Sequence, residues 1–378
     1  MSDGPDAGGL CAVVEKPRAQ AAIGSLRAEG VYDDDRSVFE ASGETVAIPV
    51  TDHPRETEVL EVIREEGEPR LRTLDDHLRA RGWTDEEIDD APGSWAVLGS
   101  VVSVAMGEAP RPAEVGEALL AMHGGADTVI ARGDIEGPHR EPDPTVGAGE
   151  GDTETVHREH GIEYAMDLAE VMFSPGNKAE RARMGRVVRD GEGSEPSGRT
   201  SGETASSDGE GSEPSGRASG ETASSDGERV LDMFAGIGYF TLPAAVAGAH
   251  VTAIECNPVA FQYLLENAMR NGVSDRVEPY RADNRDVISA YEGENFDRIV
   301  MGYYEAHEYL ESALSVLAPG GTVHMHEATP AALVPDRPVE RLESAATECG
   351  RDVEVLDVRE VKSYSEGVAH VVVDARVE

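Results

Sequence analysis

The residues best suited to chemistry begin at Val230-Leu-Asp-Met-Phe-Ala-Gly-Ile-Gly-Tyr-Phe240, which reads as a strand, a tight turn and a helix start. Gly236 and Gly238 let backbone amides approach a ligand where a Cβ would collide. Many strand-to-helix turns carry a Gly-x-Gly for packing alone, so specificity must come from residues further along the chain. Glu255 ends the next strand, 23 residues after Asp232, where a carboxylate can accept from both hydroxyls of a ribose. Asp283-Asn284 ends the third strand and suits the hydrogen-bonding edge of an adenine. A dinucleotide site would carry a third glycine at Thr241, which is missing. The set therefore fits an adenosyl ligand without pyrophosphate, S-adenosylmethionine.

Such residues need a frame that brings strand ends together. Arg229–Asp232, Val251–Ile254, Val277–Arg281, Asp297–Met301, Thr322–His326, Val353–Arg359 and Ala369–Ala375 read as seven short β-rich runs. Helical patterns lie between most of them, for example Pro258–Asn271 and Glu305–Leu317. This alternation predicts an α/β domain over 229–378, a Rossmann-like sheet of seven strands, parallel and wound on both faces. The last two runs, joined across Lys362–Gly367, predict a terminal antiparallel hairpin.

Upstream, residues 10–52 predict a small α+β domain, with a run from Leu10, a helix over Pro17–Glu29 and a strand over Glu44–Val50. Residues 53–92 read as a charged helical connector, punctuated by Pro92-Gly93. Residues 93–190 alternate strand and helix signals again, including Trp95–Met106, Val115–Met122 and Thr128–Ala131. The segment 191–228 breaks the pattern, because the 18 residues of 192–209 recur as 210–227 with a single difference, Thr200 against Ala218. A Gly, Ser, Glu and Pro repeat without a hydrophobic face buries nothing and reads as a disordered insert, not a solenoid.

Composition bounds the environment. The 378 residues hold 74 Asp+Glu against 33 Lys+Arg, a formal net charge of −41. That balance argues at first against a nucleic-acid partner, since phosphate affinity normally rests on basic residues. Of the basic residues just three are lysines (Lys16, Lys178, Lys362), and evenly spread acid with so little lysine resembles proteins that work in molar salt. There the Debye length is about 3 Å, so net charge says little about partners. Three scattered cysteines (Cys11, Cys256, Cys349) imply neither a disulfide framework nor a zinc ribbon. No apolar run approaches about 18 residues and the N-terminus lacks a basic leader, so a cytoplasmic protein without a membrane partner is expected.

Asp232-Met-Phe-Ala-Gly-Ile-Gly238, Asn257-Pro258, Asn267…Asn271 and Lys362-Ser-Tyr-Ser together resemble the archaeal and eukaryotic enzymes that modify the purine at position 37 of tRNA. The resemblance continues through Gly137-Pro-His-Arg-Glu-Pro-Asp143, Thr153-Glu-Thr-Val-His-Arg-Glu-His160 and Met172-Phe-Ser-Pro-Gly-Asn177…Glu180-Arg181. It implies a class I methyltransferase fold with α+β N-terminal tRNA-recognition domains. The family has two branches, guanine-N1 methyltransferases and the aminocarboxypropyltransferases of wybutosine synthesis. Methyltransferases usually carry Asn-Leu-Pro after the fourth strand and an arginine after Phe-Ser-Pro, whereas this chain has Met301-Gly302-Tyr303 and Gly176-Asn177. Both departures look like the second branch.

That branch implies transfer of the 3-amino-3-carboxypropyl group of S-adenosylmethionine to 4-demethylwyosine at position 37 of tRNA-Phe. The alternatives are the methyltransferase and a tRNA- and cofactor-binding module without turnover. The resemblance places cofactor contacts at Ser174, Arg181, Glu255, Asp283 and Asn284. Arg181 is expected to fork onto the cofactor's carboxylate, or else to pair with Glu180 or a tRNA phosphate. Ser174 doubles as a candidate helix N-cap. No general base is evident. His324, His326 and Glu327 alternate on one strand and suit structural or substrate contacts, and His157 with His160 has no metal-site spacing, so no metal is expected. Trp83 and Trp95 read as core. Lys178, Arg181, Arg183, Arg186 and Arg189 form a basic run, read either as a solvated helix or as a phosphate-contacting surface.

Overall fold

The computed structural model describes residues 8–133, 135–137, 139–190, 227–291, 293 and 295–378. The repeats at 192–227 lie outside the described residues except for Gly227. The chain divides into two compact units, Met1–Pro92 with Met106–Gly124, and Gly93–Ala105 with Gly125–Glu378.

In the first unit β1 (Gly9–Glu15), helix α1 (Ala19–Ala28), β2 (Phe39–Ser42), β3 (Thr45–Pro49) and β4 (Glu61–Glu65) build an antiparallel sheet ordered β2-β3-β1-β4 under one helix. Strand alternation sorts β1, with Ala12 and Val14 packing on Leu26 of α1, and Cys11 and Val13 joining Ala47. The expectation of helix throughout 53–92 is wrong over Glu61–Glu65, which pairs with β1 and sets Val62 opposite Ala12. Two adjacent β-branched residues and an open edge on β1 outweigh a charge-rich sequence there. Helix begins at α2 (Leu74–Ala80) and α3 (Asp85–Asp89), each started by a capping box, Thr73 with Asp76 and Thr84 with Glu87. In the turn between α2 and α3 the buried Trp83 indole donates to Glu114 of α4 (Pro112–Met122) at 2.8 Å, and Arg111 lies 4.5 Å over its ring.

In the second unit β5 (Trp95–Leu98) and β6 (Val101–Val104) form a hairpin whose turn uses Gly99 at φ +57°. β7 (Thr128–Ala131) runs parallel to β6. After the short pair β8 (Ile135–Glu136) and β9 (Glu141–Pro142), β10 (Thr145–Gly149) closes the four-stranded sheet β10-β7-β6-β5. A second hairpin, β11 (Glu154–Glu159) with β12 (Ile162–Asp167), leads to α5 (Lys178–Asp190).

The remainder is the doubly wound domain. Its elements are β13 (Arg229–Asp232), α6 (Thr241–Ala247), β14 (His250–Ile254), α7 (Pro258–Arg270), β15 (Val277–Tyr280), α8 (Asn284–Ile288) and β16 (Phe296–Met301). Then come α9 (Leu310–Val316), β17 (Leu317–Pro330), α10 (Asp336–Glu348), β18 (Val353–Ser365) and β19 (Val368–Val377). The sheet order is β15-β14-β13-β16-β17-β19-β18, with β19 antiparallel to both neighbours and the other contacts parallel. Adjacent residues such as Val230 and Leu231 enter different hydrophobic clusters, so both faces are covered, as a parallel sheet requires. The order of strand connection switches direction between the parallel β13 and β16, and the crevice beyond their C-terminal ends is where such sheets bind ligands.

α7 is tied to the β11–β12 hairpin by side chains that imitate a strand. Asn267 accepts from Ala165 N at 2.7 Å and donates to Ala165 O and Ile237 O, both at 3.0 Å. One turn on, Asn271 accepts from Glu163 N at 2.9 Å and donates to Glu163 O at 2.7 Å. The asparagines stand on one helical face and fasten the hairpin and the Gly236–Gly238 loop to the same helix.

Candidate active site

A cavity of about 270 Å³ opens along the C-terminal ends of β15, β14, β13, β16 and β17. At its β13 corner the turn is held from below, because Asp232 is fully buried and its Oδ2 accepts from Thr241 Oγ1 at 2.7 Å. Burial raises the Asp232 carboxyl to about 6. Gly236 has φ +56° and turns its N–H onto Glu255 Oε2 at 2.7 Å. The other oxygen of Glu255 accepts from Asn257 N at 2.7 Å, so two backbone amides fix this carboxylate at the cavity wall while burial raises its pKa. Gly238 lies outside the cavity lining, and a Cβ there would stand 2.8 Å from Leu242 Cγ, so it serves helix packing.

At the β15 corner Asp283 and Asn284 both line the cavity. Asp283 caps α8 and takes a two-pronged contact from Arg285 at 3.0 and 2.7 Å, which holds its pKa low. Asn284 donates to Met233 O at 3.3 Å, but its Oδ1 is buried without a partner. A buried carbonyl oxygen facing a cavity is an open acceptor for a ligand amino group, since leaving it unpaired costs about 1–3 kcal/mol. Phe234 stacks 5.1 Å from Tyr303, giving an aromatic wall.

The structure places Ser174 and Arg181 differently from the expectation. Neither lines this cavity. Arg181 is 1% exposed and forks onto Glu159 at 2.8 and 2.9 Å, with Nη1 donating to Ser174 O at 2.9 Å. Its guanidinium lies 4.7 Å over Phe173. Burial would raise the Glu159 carboxyl, but hydrogen bonds from His157 and Arg181 outweigh it and bring it down to about 2. Arg181 thus acts behind the wall, fixing the Phe173-Ser174 backbone that Tyr239 also grips through Met172 O at 2.5 Å and Ser174 N at 3.2 Å. Ser174 precedes the turn Pro175–Asn177 without a side-chain capping bond, and its Oγ instead accepts from Lys362 Nζ at 2.5 Å.

The basic run is likewise split. Arg181 and Arg183 pair inward, the latter to Asp374 at 2.6 Å, and a second hollow beside α5 is lined by Arg181 together with Arg186 and Arg189. Glu180 pairs with Arg359, not Arg181, at 2.6 Å. His324 also belongs to the interior, with Nδ1 2.6 Å from Asp374 and Nε2 2.5 Å from Arg298. His326 faces the cavity.

Residue spacing alone did not single out Arg140, Lys362, Tyr304 and His370. Arg140 lines the cavity and lies 5.2 Å over the Tyr304 ring. Its signal was the Gly137–Asp143 motif, as that of Lys362 was Lys362-Ser-Tyr-Ser, and His370 carried no signal beyond strand alternation. Burial, then the charges of Arg181, Arg132 and Arg140, lower the Lys362 pKa. Among the described residues no carboxylate pairs with Arg132, Arg140 or Lys362. Of these three cations Arg140 lines the cavity, while Lys362 stands behind the lining on Ser174 Oγ.

Among the described residues no helix is long and apolar enough to cross a membrane. The sequence matches the TRM5/TYW2 methyltransferase domain over residues 155–194 and 213–356, and the TYW2 N-terminal domain over residues 74–153. The stretch passed over, 195–212, has the length of one repeat unit. A Pyrococcus horikoshii protein named tRNA(Phe) (4-demethylwyosine(37)-C(7)) aminocarboxypropyltransferase is 36% identical over 317 residues, 82% of this chain and 96% of its own. The crystal structure of P. horikoshii TYW2 in complex with MeSAdo superposes with a TM-score of 0.60 at 33% identity, covering 79% of this chain and 96% of that one. That of Trm5b from Pyrococcus abyssi gives a TM-score of 0.65 at 28% identity, covering 98% and 99%. With the crevice, its carboxylate and its glycine turn in a sheet shared with these proteins, the chain belongs to the TRM5/TYW2 family.

Proposed function

We propose that the protein transfers the 3-amino-3-carboxypropyl group of S-adenosylmethionine to C7 of 4-demethylwyosine at position 37 of tRNA-Phe. The observation that carries this reading is the 36% identity, over 96% of its length, to the P. horikoshii protein named for that reaction. The crevice suits the donor. The unpartnered Oδ1 of Asn284 would accept from the adenine amino group, and Glu255, held by the Gly236 N–H, would take the ribose hydroxyls. When bound, the sulfonium makes three carbons electrophilic, and the one presented in line to the nucleophile is the one transferred.

Two glycines favour presentation of the tail over the methyl group. A Cβ on Gly176 would stand 3.0 Å from Lys362 Cδ, and a Cβ on Gly302 would stand 2.9 Å from Phe240 Cε2. An arginine at the first position would displace Lys362, and a leucine at the second would displace Phe240. With glycine at both, Lys362 keeps its place on Ser174 Oγ, and Arg140, which lines the cavity, offers a cation to a carboxylate-bearing tail. Arg181 supports this wall through Ser174 and does not contact the tail. Arg132 and Arg140 are also suited to the tRNA backbone near the modified base, and shape recognition is assigned to the segments 10–52 and 92–170.

Purified protein in molar salt, with precursor tRNA and donor labelled at the carboxyl or the methyl carbon, tests the reading. Carboxyl label in tRNA, with methylthioadenosine released, is the expected result. Methyl label alone refutes it and selects the methyltransferase reading, which the 98% coverage by the Trm5b structure favours. Binding of both ligands with neither label transferred would identify a module without turnover.

A further inference from the structure

The geometry points to His326, backed by His370, as the group that takes the proton leaving C7 of the acceptor base. This rests on the reaction assigned above, in which the nucleophile is a ring carbon that still carries hydrogen.

The sheet edge acts as a ruler. The groups suited to the adenosyl moiety follow β15, β14 and β13, whereas Gly302 follows β16, and His326 and His370 belong to β17 and β19. At about 4.8 Å per strand, β17 lies roughly 19 Å from β15, so the adenosyl moiety leaves that end of the cavity to the acceptor. The two histidines line it there although they are 2% and 0% exposed. Phe240 packs 5.1 Å from His326, and the edge of Tyr304 meets His370 at 4.8 Å.

Two neutral imidazoles carry two N–H groups and two lone pairs. His326 Nδ1 and His370 Nε2 are 3.0 Å apart and share one proton, and His370 Nδ1 is buried without a partner. When His326 donates across that contact, its Nε2 presents a lone pair and His370 Nδ1 holds the second hydrogen. Both rings are neutral, since burial and then the charges of Lys362 and Arg359 lower His370 to about 3, and burial drives His326 well below the ordinary range. Weak basicity suffices, because the proton donor is a carbon acid made cationic by alkylation. The other titratable groups lining the cavity are committed. Glu255 is tied to two amides, Asp283 to Arg285, and His139 stands 3.6 Å from Glu141. Tyr303 holds its proton, pushed up to about 12 by burial and Glu305, and burial likewise raises Tyr239, Tyr304, Tyr309 and the Cys256 thiol.

In the step, the π pair at C7 bonds to the γ-carbon of the aminocarboxypropyl group. The carbon–sulfur bond breaks with its pair on sulfur, and methylthioadenosine leaves neutral. The cationic ring regains its aromatic pair by giving the C7 proton to His326 Nε2, while the shared Nδ1 proton moves to His370 Nε2.

The test uses the full chain and precursor tRNA bearing hydrogen or deuterium at C7. His326→Gln should lower turnover about 100-fold, with donor and tRNA affinities retained. It should also reveal a primary isotope effect on modified-base formation that the wild type lacks. His370→Gln, a positioning change, should show the same effect with a smaller loss. His326→Gly should regain turnover when imidazole is added. Unchanged turnover, or a loss without isotope effect and without imidazole rescue, overturns the proposal. A wild type that releases no methylthioadenosine overturns the underlying reaction instead, and the two failures are distinguished by that control.

Discussion

Replacing Arg181 with methionine separates a wall-supporting arginine from a ligand-binding one. The guanidinium and the Glu159 carboxylate are 1% and 2% exposed at 2.8 Å, so the pair is screened little by solvent. Glu159 falls from 4.5 to about 2 in the folded chain, against the effect of its own burial. A depressed carboxylate stabilises the fold above its unfolded pKa and loses that contribution as pH falls from about 4.5 towards 2. At about 1.36 kcal/mol per pH unit the whole shift corresponds to about 3 kcal/mol at neutral pH. Arg181 supplies this together with His157, but removing it also strands a buried charge, a change that costs about 3–5 kcal/mol elsewhere. The expected cost of Arg181→Met is therefore about 3 kcal/mol at pH 7, shrinking as pH falls through 4. Arg181→Met with Glu159→Leu should recover most of it. Urea unfolding at fixed molar salt measures both, and calorimetry with S-adenosylmethionine on the folded variant measures the ligand side. A loss below about 1 kcal/mol with donor binding abolished would refute this placement and return Arg181 to the cofactor's carboxylate.

Other changes test the frame and the adenosyl end. Asn267→Ala removes three buried hydrogen bonds of 2.7 to 3.0 Å and should cost about 3 kcal/mol in urea unfolding, at about 1 kcal/mol each. Asn284→Ala should weaken S-adenosylmethionine about tenfold by calorimetry, from the loss of one acceptor worth about 1.4 kcal/mol, with unfolding nearly unchanged. Asp232 is raised to about 6, so its ionisation destabilises the fold as pH rises from about 4 to 6. Asp232→Asn should flatten the melting temperature over that interval, and an unaltered slope would mean another group sets it.

The end of the crevice proposed for the adenosyl group was legible because it obeys chain-local rules. Strand ends, a glycine turn and one carboxylate per strand place Gly236, Glu255, Asp283 and Asn284 along one sheet edge wherever a parallel sheet forms. The cluster of cations was not, because its parts meet only in three dimensions, as with Ser174 and Lys362, 188 residues apart. A basic run gives charge but not direction. Helical turns carry Arg181 to Glu159 and Arg183 to Asp374 while Lys178 and Arg189 remain exposed, so residue type alone overstated the basic surface. Residues 61–65 were misread for a related reason, as charge density says nothing about a neighbouring strand with an open edge. Gly238 shows the reverse error, a glycine in the right motif whose missing Cβ serves Leu242 and not a ligand.

The net charge of −41 then predicts an unusual salt response for a tRNA-binding protein. Arg132, Arg140 and Lys362, neighbouring cations without carboxylate partners among the described residues, would neutralise about three phosphates. For single-stranded contacts that gives a slope of log affinity on log salt of about −2. Repulsion between an acidic protein and a polyanion acts in the opposite sense and is relieved as the Debye length contracts to about 3 Å near 1 M. The two effects offset, so tRNA affinity between about 0.3 and 3 M salt should fall by less than about 100-fold and be flat at the upper end. Binding there would rest on stacking, hydrogen bonds and shape, which salt screens little. Filter binding across that range measures the slope. A value steeper than about −4 would show that long-range attraction dominates, and that cations beyond these three carry the complex.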